Sequence, residues 1–293
     1  MKEFIKEIRE IPEEYRRPAS MKGTIERIDY KTHDYREQEE EKYAFVYLPY
    51  NYDASQAYDI YYLIHGGGET AEKYLYEGGE DNELKHIVDN LIENGDIRPL
   101  IIVNPSWYPK NAVDRSIDHG MLTMHFAREI LDLMKAVENK YHTYAITVDE
   151  KGFRDSRDHR LVGGWSMGAC STWAILSQDM DYFRYFAPMS GDSWMIEQTG
   201  GSTKPKETAA ALTSCVIGQG YDKDGFSVYC ISGTEDPAGT HLTNMVNALK
   251  EHPEIWDFEG KERNGSLLLY EGGQHHRPWR TIYIYNVLLN HFA

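Results

Sequence analysis

Two hydrophobic patterns divide the chain. Residues 23–30 and 43–50 alternate apolar and polar side chains, which is typical of half-buried antiparallel strands. The charged run between them, residues 36–42, is expected to form a solvated turn. From residue 58 onward, short apolar runs alternate with stretches whose apolar residues recur at helical spacing. This alternation predicts a mostly parallel sheet with helices on both faces, and the two leading strands predict an antiparallel edge.

The later elements can be placed from the apolar runs and from signals at their ends. Gly95 follows the first helical stripe, Thr240 is the expected cap of a later helix, and Pro278 is expected to open the last helix. The predicted strands are 58–64, 100–103, 159–163, 185–189, 227–232 and 266–270. The predicted helices are 84–92, 126–137, 166–178, 207–217, 242–249 and the helix that Pro278 opens.

This order of elements predicts one α/β domain over residues 1–293, in which residues 1–21 are an N-terminal extension. Segment 190–225 is long, rich in Gly, Thr and Lys, and only partly helical. Insertions of this kind above a sheet often shape a substrate pocket. We therefore expect this segment to lie near the functional site.

Composition and charge exclude several classes of protein. The 293 residues are 41% hydrophobic and 27% charged, as in folded globular proteins. A formal net charge of −16 argues against nucleic acid and anionic membranes as partners. The chain has no apolar run of transmembrane length and no signal-peptide pattern at its amino terminus. We therefore expect a cytoplasmic protein, or a secreted one if a leader or a parent chain has been removed.

The cysteines do not indicate a site. Cys170, Cys215 and Cys230 are too few for a disulfide scaffold and too widely spaced for a zinc site. Buried free thiols are the expected state, and a Cys215–Cys230 pairing is the alternative.

The most specific motif is Gly164-Trp165-Ser166-Met167-Gly168. A predicted apolar strand precedes it directly, and a predicted helix rich in small residues follows it. In such a strand–turn–helix setting a serine sits on a tight turn with its hydroxyl exposed, and the flanking glycines leave room for that turn. Ser166 is therefore the predicted nucleophile.

A serine hydroxyl needs a base to take its proton and a carboxylate to orient that base. In α/β-hydrolases these residues follow in the order Ser, then Asp or Glu, then His. Asp236 follows the predicted strand 227–232, and His275 follows the predicted strand 266–270. Parallel strands present their carboxyl ends at one edge of the sheet, so these loops can converge on the serine. The predicted triad is Ser166, Asp236 and His275.

Two other acidic residues are candidates for the role of Asp236. Asp192 also follows a predicted strand, but that strand comes one earlier in the chain, so topology favours Asp236. Glu235 adjoins Asp236 and stays a candidate.

The choice of histidine is open from spacing alone. His276 adjoins His275, and adjacent side chains on an extended segment point to opposite sides, so only one of the two can face the serine. His241 comes five residues after Asp236 and is expected to be a surface or capping residue. His65 is expected to form structural hydrogen bonds.

An acyl-transfer site also needs donors for the oxyanion. One is expected to be the backbone amide of Met167, the residue after the nucleophile. The other is expected from the run His65-Gly66-Gly67-Gly68, because glycines let the backbone approach a substrate closely. Gly67 is the predicted donor and Gly68 the alternate. The Lys-Ser/Thr ending of a phosphate-binding loop is absent from this run.

Over roughly residues 40–292 the chain resembles the feruloyl esterases of carbohydrate esterase family 1, an esterase-D-like family of the α/β-hydrolase superfamily. The resemblance is to the esterase modules attached to bacterial xylanases in particular. It rests on motifs that occur here in the family's order: 62–69 (YLIHGGGE), 99–105 (PLIIVNP), 163–168 (GGWSMG), 188–194 (PMSGDSW), 232–236 (SGTED) and 272–275 (GGQH). The resemblance favours Asp236 over Asp192, and His275 over His276. The segments 111–119 and 199–206 depart from the family's pattern and leave the pocket contacts open.

The resemblance implies an α/β-hydrolase fold and hydrolysis of hydroxycinnamoyl esters, such as feruloyl esters, of plant cell-wall arabinoxylan or its oligosaccharides. The implied enzyme is a carboxylic ester hydrolase that works through an acyl-enzyme, without a cofactor or a metal. The candidate substrate-binding residues are Trp194, Trp107 and Gly68. The two tryptophans each lie just past a predicted strand on the side of Ser166, and Gly68 is the alternate oxyanion donor. Our hypothesis is that Trp194 lines the acyl pocket.

Three other functions compete with this interpretation. An acetylxylan esterase, or another carbohydrate acetylesterase, would use the same mechanism on a smaller acyl group. Acyl transfer to an acceptor other than water is a second possibility, and a carbohydrate-binding protein on an inactive hydrolase scaffold is a third. The expected partner in each case is a small-molecule or oligosaccharide ligand, with no nucleic acid and no membrane.

Overall fold

The computed structural model describes residues 4–260 and 263–293. Within them the strands are β1 Thr24–His33, β2 Glu39–Leu48, β3 Asp59–Ile64, β4 Tyr76–Glu77, β5 Glu80–Asp81, β6 Leu100–Asn104, β7 Arg160–Trp165, β8 Tyr185–Met189, β9 Ser227–Gly233 and β10 Gly265–Tyr270. The α-helices are α1 Glu83–Glu93, α2 His119–Lys140, α3 Glu150–Asp155, α4 Met167–Gln178, α5 Gly200–Thr203, α6 Pro205–Gly218, α7 Pro237–Leu249 and α8 Arg277–Phe292. Short 3₁₀ turns lie at Glu13–Arg16, Ala71–Lys73, Pro109–Asn111 and Arg157–His159.

Eight of these strands form one sheet in the order β1-β2-β6-β3-β7-β8-β9-β10. The pairings from β6 to β10 are parallel, whereas β1 pairs with β2, and β2 with β6, in antiparallel register. The prediction of a mostly parallel sheet with an antiparallel N-terminal edge is therefore confirmed. Strands β4 and β5 form a separate small hairpin.

Two apolar layers cover the sheet. Strand β3 is buried at every position, and its residues alternate between the layers, so its sequence is a nearly continuous apolar run. Ile60, Tyr62 and Ile64 face the layer formed with α2, α4, α6 and α7. Tyr61 and Leu63 face the layer formed with α1 and α8. Helices on both faces thus leave the two ends of the parallel strands as the accessible parts of the central sheet.

The charged run 36–42 was only partly predicted. The turn is confined to residues 34–38, and β2 already begins at Glu39. From there every second side chain points inward, so Glu40 and Lys42 are buried. Lys42 forms an ion pair with the buried Glu129 of α2. Glu40 and Lys42 are therefore buried although the run is charged, because alternate side chains of a strand point to the same face of the sheet.

A second correction concerns the start of α7. The expected cap was Thr240, but α7 begins at Pro237 and Asp236 is its N-cap. The Asp236 carboxylate accepts the amides of Ala238 at 2.8 Å and Gly239 at 3.3 Å. Proline suits the first helical position because its missing N–H has no intrahelical acceptor there.

The described part of the predicted extension, residues 4–21, packs beside α8. Phe4 and Ile11 are buried in the same apolar layer as that helix. The amide of Ile5 donates to Asn290 Oδ1 at 2.9 Å, and the amide of Arg9 donates to Asn286 Oδ1 at 2.7 Å. Residues 1–3 of the extension lie outside the described residues.

Among the described helices, none has both the length and the apolar composition that crossing a bilayer requires.

Candidate active site

Ser166 lies on a sharp turn between β7 and α4. Its backbone has φ 58° and ψ −120°, a conformation that non-glycine residues rarely adopt. The turn is tight enough that a Cβ on Gly164 would come within 2.6 Å of the Gly168 backbone. A Cβ on Gly168 would come within 2.4 Å of the Ile64 carbonyl oxygen. The two glycines of the motif therefore allow the strained turn that presents the serine at the carboxyl end of the sheet.

His275 lies between Ser166 and Asp236. Its Nε2 is 2.8 Å from Ser166 Oγ, and its Nδ1 is 2.9 Å from each carboxylate oxygen of Asp236. Because an ionised carboxylate only accepts hydrogen bonds, Nδ1 carries the proton and Nε2 is free to accept the one from the serine. This arrangement can remove the hydroxyl proton of Ser166 during attack on a carbonyl.

The Asp236 carboxylate is buried, with 1% of the residue exposed. Burial opposes its ionisation, but the hydrogen bond and charge of His275, with the amide of Gly239, outweigh burial and hold the pKa of Asp236 below its ordinary value. An ionised Asp236 can orient the imidazole and balance the positive charge that the imidazole acquires.

The two other candidate carboxylates, Glu235 and Asp192, bind other groups than His275. Glu235 is exposed and accepts a hydrogen bond from the side chain of Gln274 at 2.8 Å. Asp192 is buried and accepts the amide of Gly201 at 2.6 Å and the indole N–H of Trp194 at 3.1 Å. Burial raises the pKa of Asp192. Of the three, it is Asp236 that the structure brings against His275.

The other histidines have other surroundings. His276 is exposed and is the N-cap residue of α8. His241 was expected at the surface or as a cap, but it lies within α7, where Nδ1 is 2.6 Å from Ser202 Oγ and the ring lines the cavity beside Ser166. His65 is buried and forms structural hydrogen bonds to the Gly66 carbonyl oxygen and to Ser106, each at 2.8 Å. Burial lowers the pKa of His65 to about 4, so the imidazole is neutral near pH 7.

The glycine loop after β3 approaches the serine turn closely. A Cβ on Gly66 would come within 3.3 Å of Ser166 Cβ, and one on Gly67 within 2.7 Å of Met167 Sδ. The amide of Gly68 donates to the Tyr108 hydroxyl at 2.9 Å, so the alternate donor is already engaged. Within the described residues, the amides of Gly67 and Met167 have no acceptor. These two amides are therefore available to a ligand next to Ser166.

A cavity of about 300 Å³ opens beside the serine. Its wall is mainly apolar and includes the ring of Trp194. The lining residues are Ser166, Met167, Cys170, Ser190, Gly191, Asp192, Trp194, Thr199, Pro237, Ala238, His241 and His275. Several of them belong to segment 190–225, which was expected to lie near the site.

Trp107 and Gly68 do not line this cavity. Trp107 is fully buried, and its indole N–H donates to the His65 carbonyl oxygen at 3.0 Å. Its position past the end of β6 is on the expected side of the sheet, but the chain folds it beneath the glycine loop. Trp107 thus supports that loop from below, which corrects the expectation that it contacts substrate.

One ring beside the base was not anticipated. Trp165 stacks on His275 with ring centroids 4.3 Å apart and an interplanar angle of 23°. It immediately precedes Ser166 in the motif, where the sequence pattern assigns it no role.

In the described parts of the chain, no group of three or more His, Cys, Asp or Glu side chains could hold a metal ion.

Comparison with known proteins gives the family. Residues 37–284 match the model of the Esterase family, whose description is "Putative esterase". Endo-1,4-beta-xylanase Y of Acetivibrio thermocellus is 32% identical over 244 residues, which are 83% of this chain and 21% of that protein. An endo-1,4-beta-xylanase/feruloyl esterase of Xylanibacter ruminicola is 28% identical over 162 residues, which are 53% of this chain and 20% of that protein. The chain thus spans about a fifth of the length of these curated relatives.

A solved structure matches along the whole chain. It is a serine-to-alanine mutant of the feruloyl esterase module of Clostridium thermocellum, complexed with sinapinate. The identity is 29% and the TM-score 0.82, and the match covers 100% of this chain and 96% of that one. The predicted fold class is confirmed by this match. The chain therefore belongs to the esterase family, with the hydrolase fold of the feruloyl esterase modules that it resembles.

Proposed function

We propose that the chain is a serine esterase that hydrolyses hydroxycinnamoyl esters, feruloyl esters in particular, of plant cell-wall arabinoxylan or its oligosaccharides. The observation that carries this proposal is the hydrogen-bonded line from Ser166 through His275 to Asp236 at the mouth of an apolar cavity. The similarity to xylanase-attached feruloyl esterase modules supports the choice of acyl group.

The reaction begins with attack of Ser166 Oγ on the ester carbonyl while His275 Nε2 takes the hydroxyl proton. The carbonyl oxygen becomes an oxyanion, which the amides of Gly67 and Met167 stabilise. When the tetrahedral intermediate collapses, the bond to the sugar oxygen breaks and His275 returns the proton to the leaving hydroxyl. Asp236 holds the imidazole in the required tautomer and balances its charge.

Water then completes the cycle. His275 takes a proton from a water molecule as that water attacks the acyl-enzyme carbonyl, and the same two amides stabilise the second oxyanion. Collapse of this intermediate releases the acid and returns the proton to Ser166.

The cavity favours a planar aromatic acyl group over an acetyl group. Its volume of about 300 Å³ exceeds what an acetyl group fills. Trp194 lines the cavity, with its indole N–H directed to Asp192. An aromatic wall suits a phenylpropenoyl ring, because flat rings gain by stacking beyond their buried area.

Rates on three esters test the proposal. We expect a higher kcat/KM on methyl ferulate than on p-nitrophenyl acetate, little release of acetate from acetylated xylan, and no measurable hydrolysis by Ser166→Ala. The opposite order of preference would indicate a carbohydrate acetylesterase. If an excess of added alcohol captures most of the acyl group, the enzyme is an acyltransferase. Failure of a fluorophosphonate to label Ser166 would favour a binding protein.

A further inference from the structure

We propose that Tyr108 is a positioning residue of the oxyanion site. Its phenol holds the amide of Gly68 and thereby aims the preceding amide, that of Gly67, at the reacting carbonyl. This inference rests on the proposed function, because it assigns Tyr108 a part in the same acyl-transfer chemistry without contact with the substrate.

The three consecutive glycine amides of the loop are held differently. The amide of Gly66 donates to Glu69 Oε2 at 3.2 Å, and the amide of Gly68 donates to Tyr108 Oη at 2.9 Å. The amide of Gly67, between them, has no acceptor within the described residues. Glycine has wide conformational freedom, so this loop needs outside contacts to keep one orientation. Two side chains supply those contacts on either side of the free donor.

Tyr108 is itself firmly held. It is fully buried, and its ring stacks on Trp107 with centroids 4.0 Å apart. Its own amide donates to Ser106 Oγ at 3.2 Å, and that hydroxyl is 2.8 Å from His65 Nε2. Burial raises the pKa of Tyr108, so the phenol is neutral under ordinary conditions. A neutral phenol oxygen on a stacked, buried ring is a fixed acceptor for the amide of Gly68.

The other anchor is an ion pair between the half-buried Glu69 and the buried Arg280. Glu69 accepts from the guanidinium of Arg280, which is 1% exposed and lies over the Tyr74 ring at 4.2 Å. Arg280 belongs to the first turn of α8, directly after the loop that carries His275. Glu69 thus links the glycine loop to α8, the helix that follows the loop of the base. With both neighbouring amides held, the Gly67 amide is oriented before substrate binds, and preorganised donors are the ones that lower a barrier most.

Tyr108→Phe is the test, because it removes one oxygen and keeps the ring. Outright loss of an oxyanion donor costs about 10²–10³ in kcat, so we expect misorientation of one to cost about 10-fold. KM should change less than twofold. The same factor should appear with methyl ferulate and with p-nitrophenyl acetate, because every ester develops the same oxyanion.

A second readout separates positioning from general damage. An aryl boronic acid forms a tetrahedral adduct on the serine and places an oxygen in the oxyanion site, so its Kd should rise by the factor that kcat loses. The Kd of ferulate, a planar product, should stay unchanged. Tyr47→Phe is the matched control: it removes a buried hydroxyl that donates to Asp89 Oδ1 at 2.8 Å, away from the cavity. It should lower Tm comparably and leave kcat intact.

The outcomes are distinct. A Tyr108→Phe enzyme with kcat within twofold of the wild type, or with a loss confined to the feruloyl ester, overturns the positioning role and leaves the proposed function standing. A wild-type protein that hydrolyses neither ester and does not react with a fluorophosphonate overturns the proposed function, and the positioning role with it.

Discussion

The carboxylate of Asp236 contacts His275 Nδ1 through both of its oxygens, each at 2.9 Å, while it also caps helix α7. The helix amides that reach the carboxylate belong to Ala238 and Gly239. An N-terminal helix end favours negative charge, and the proposed chemistry requires it, so one ionised carboxylate serves both roles. The two roles can be separated by substitution.

Asp236→Asn should separate catalysis from stability. Asparagine caps a helix about as well as aspartate, so Tm should change little. Without the negative charge the imidazole loses its required tautomer and its charge partner, and kcat should fall by about 10³–10⁴. Asp236→Ala should lose comparable activity and also about 1 kcal/mol of stability with the cap. Steady-state kinetics and thermal unfolding measure both effects, and an Asn variant that keeps a tenth of the wild-type kcat contradicts the assignment.

Trp194→Ala should change selectivity. The ring lines the cavity beside Ser166, so its loss should raise KM for methyl ferulate by about 10-fold or more and leave KM for p-nitrophenyl acetate nearly unchanged. Tyr144→Ala is the control, because this exposed ring lies at the opposite edge of the sheet, against His159. Equal effects of Trp194→Ala on the two esters would show that the ring does not contact the acyl group.

Asp179 should make stability depend on pH in the direction opposite to most carboxylates. It is 8% exposed, one of its oxygens has no hydrogen-bond partner, and burial followed by the charge of Asp181 raises its pKa to about 7. In the unfolded chain this carboxyl ionises near pH 4, whereas in the folded chain it stays protonated up to about pH 7. Its contribution to the free energy of unfolding is therefore complete below about pH 4 and is lost as the pH rises through about 7. The loss is on the order of 4 kcal/mol.

Denaturant unfolding of the wild type and of Asp179→Asn, at pH 4 and at pH 7.5, measures this effect. The variant should gain stability relative to the wild type as the pH rises. A difference between the two proteins that is the same at both pH values would rule out the raised pKa of this carboxyl.

Local patterns predicted the features that depend on local structure. The strand at 185–189 was predicted with its observed bounds, because a buried apolar run there is flanked by polar residues on both sides. Ser166 could be predicted as the nucleophile because the strand, the turn glycines and the helix lie next to one another in the chain. The choice between His275 and His276 depended on the family resemblance, since their spacing to the preceding strand differs by one residue.

Long-range partners were missed for a physical reason. Lys42 and Glu129 are 87 residues apart, and Glu69 and Arg280 are 211 apart, so no local periodicity connects them. Trp107 looked equivalent to Trp194, since both follow strands at the same edge of the sheet. Their different exposure is decided by the packing of the loops above, which a single sequence does not specify.

The mass of the enzyme quenched in acid during turnover of methyl ferulate tests the central claim most directly. The account predicts a feruloyl adduct on the peptide that contains Ser166, which forms within the first turnover and is absent from Ser166→Ala. Hydrolysis by Ser166→Ala at an undiminished rate, or an adduct on any other residue, would contradict it.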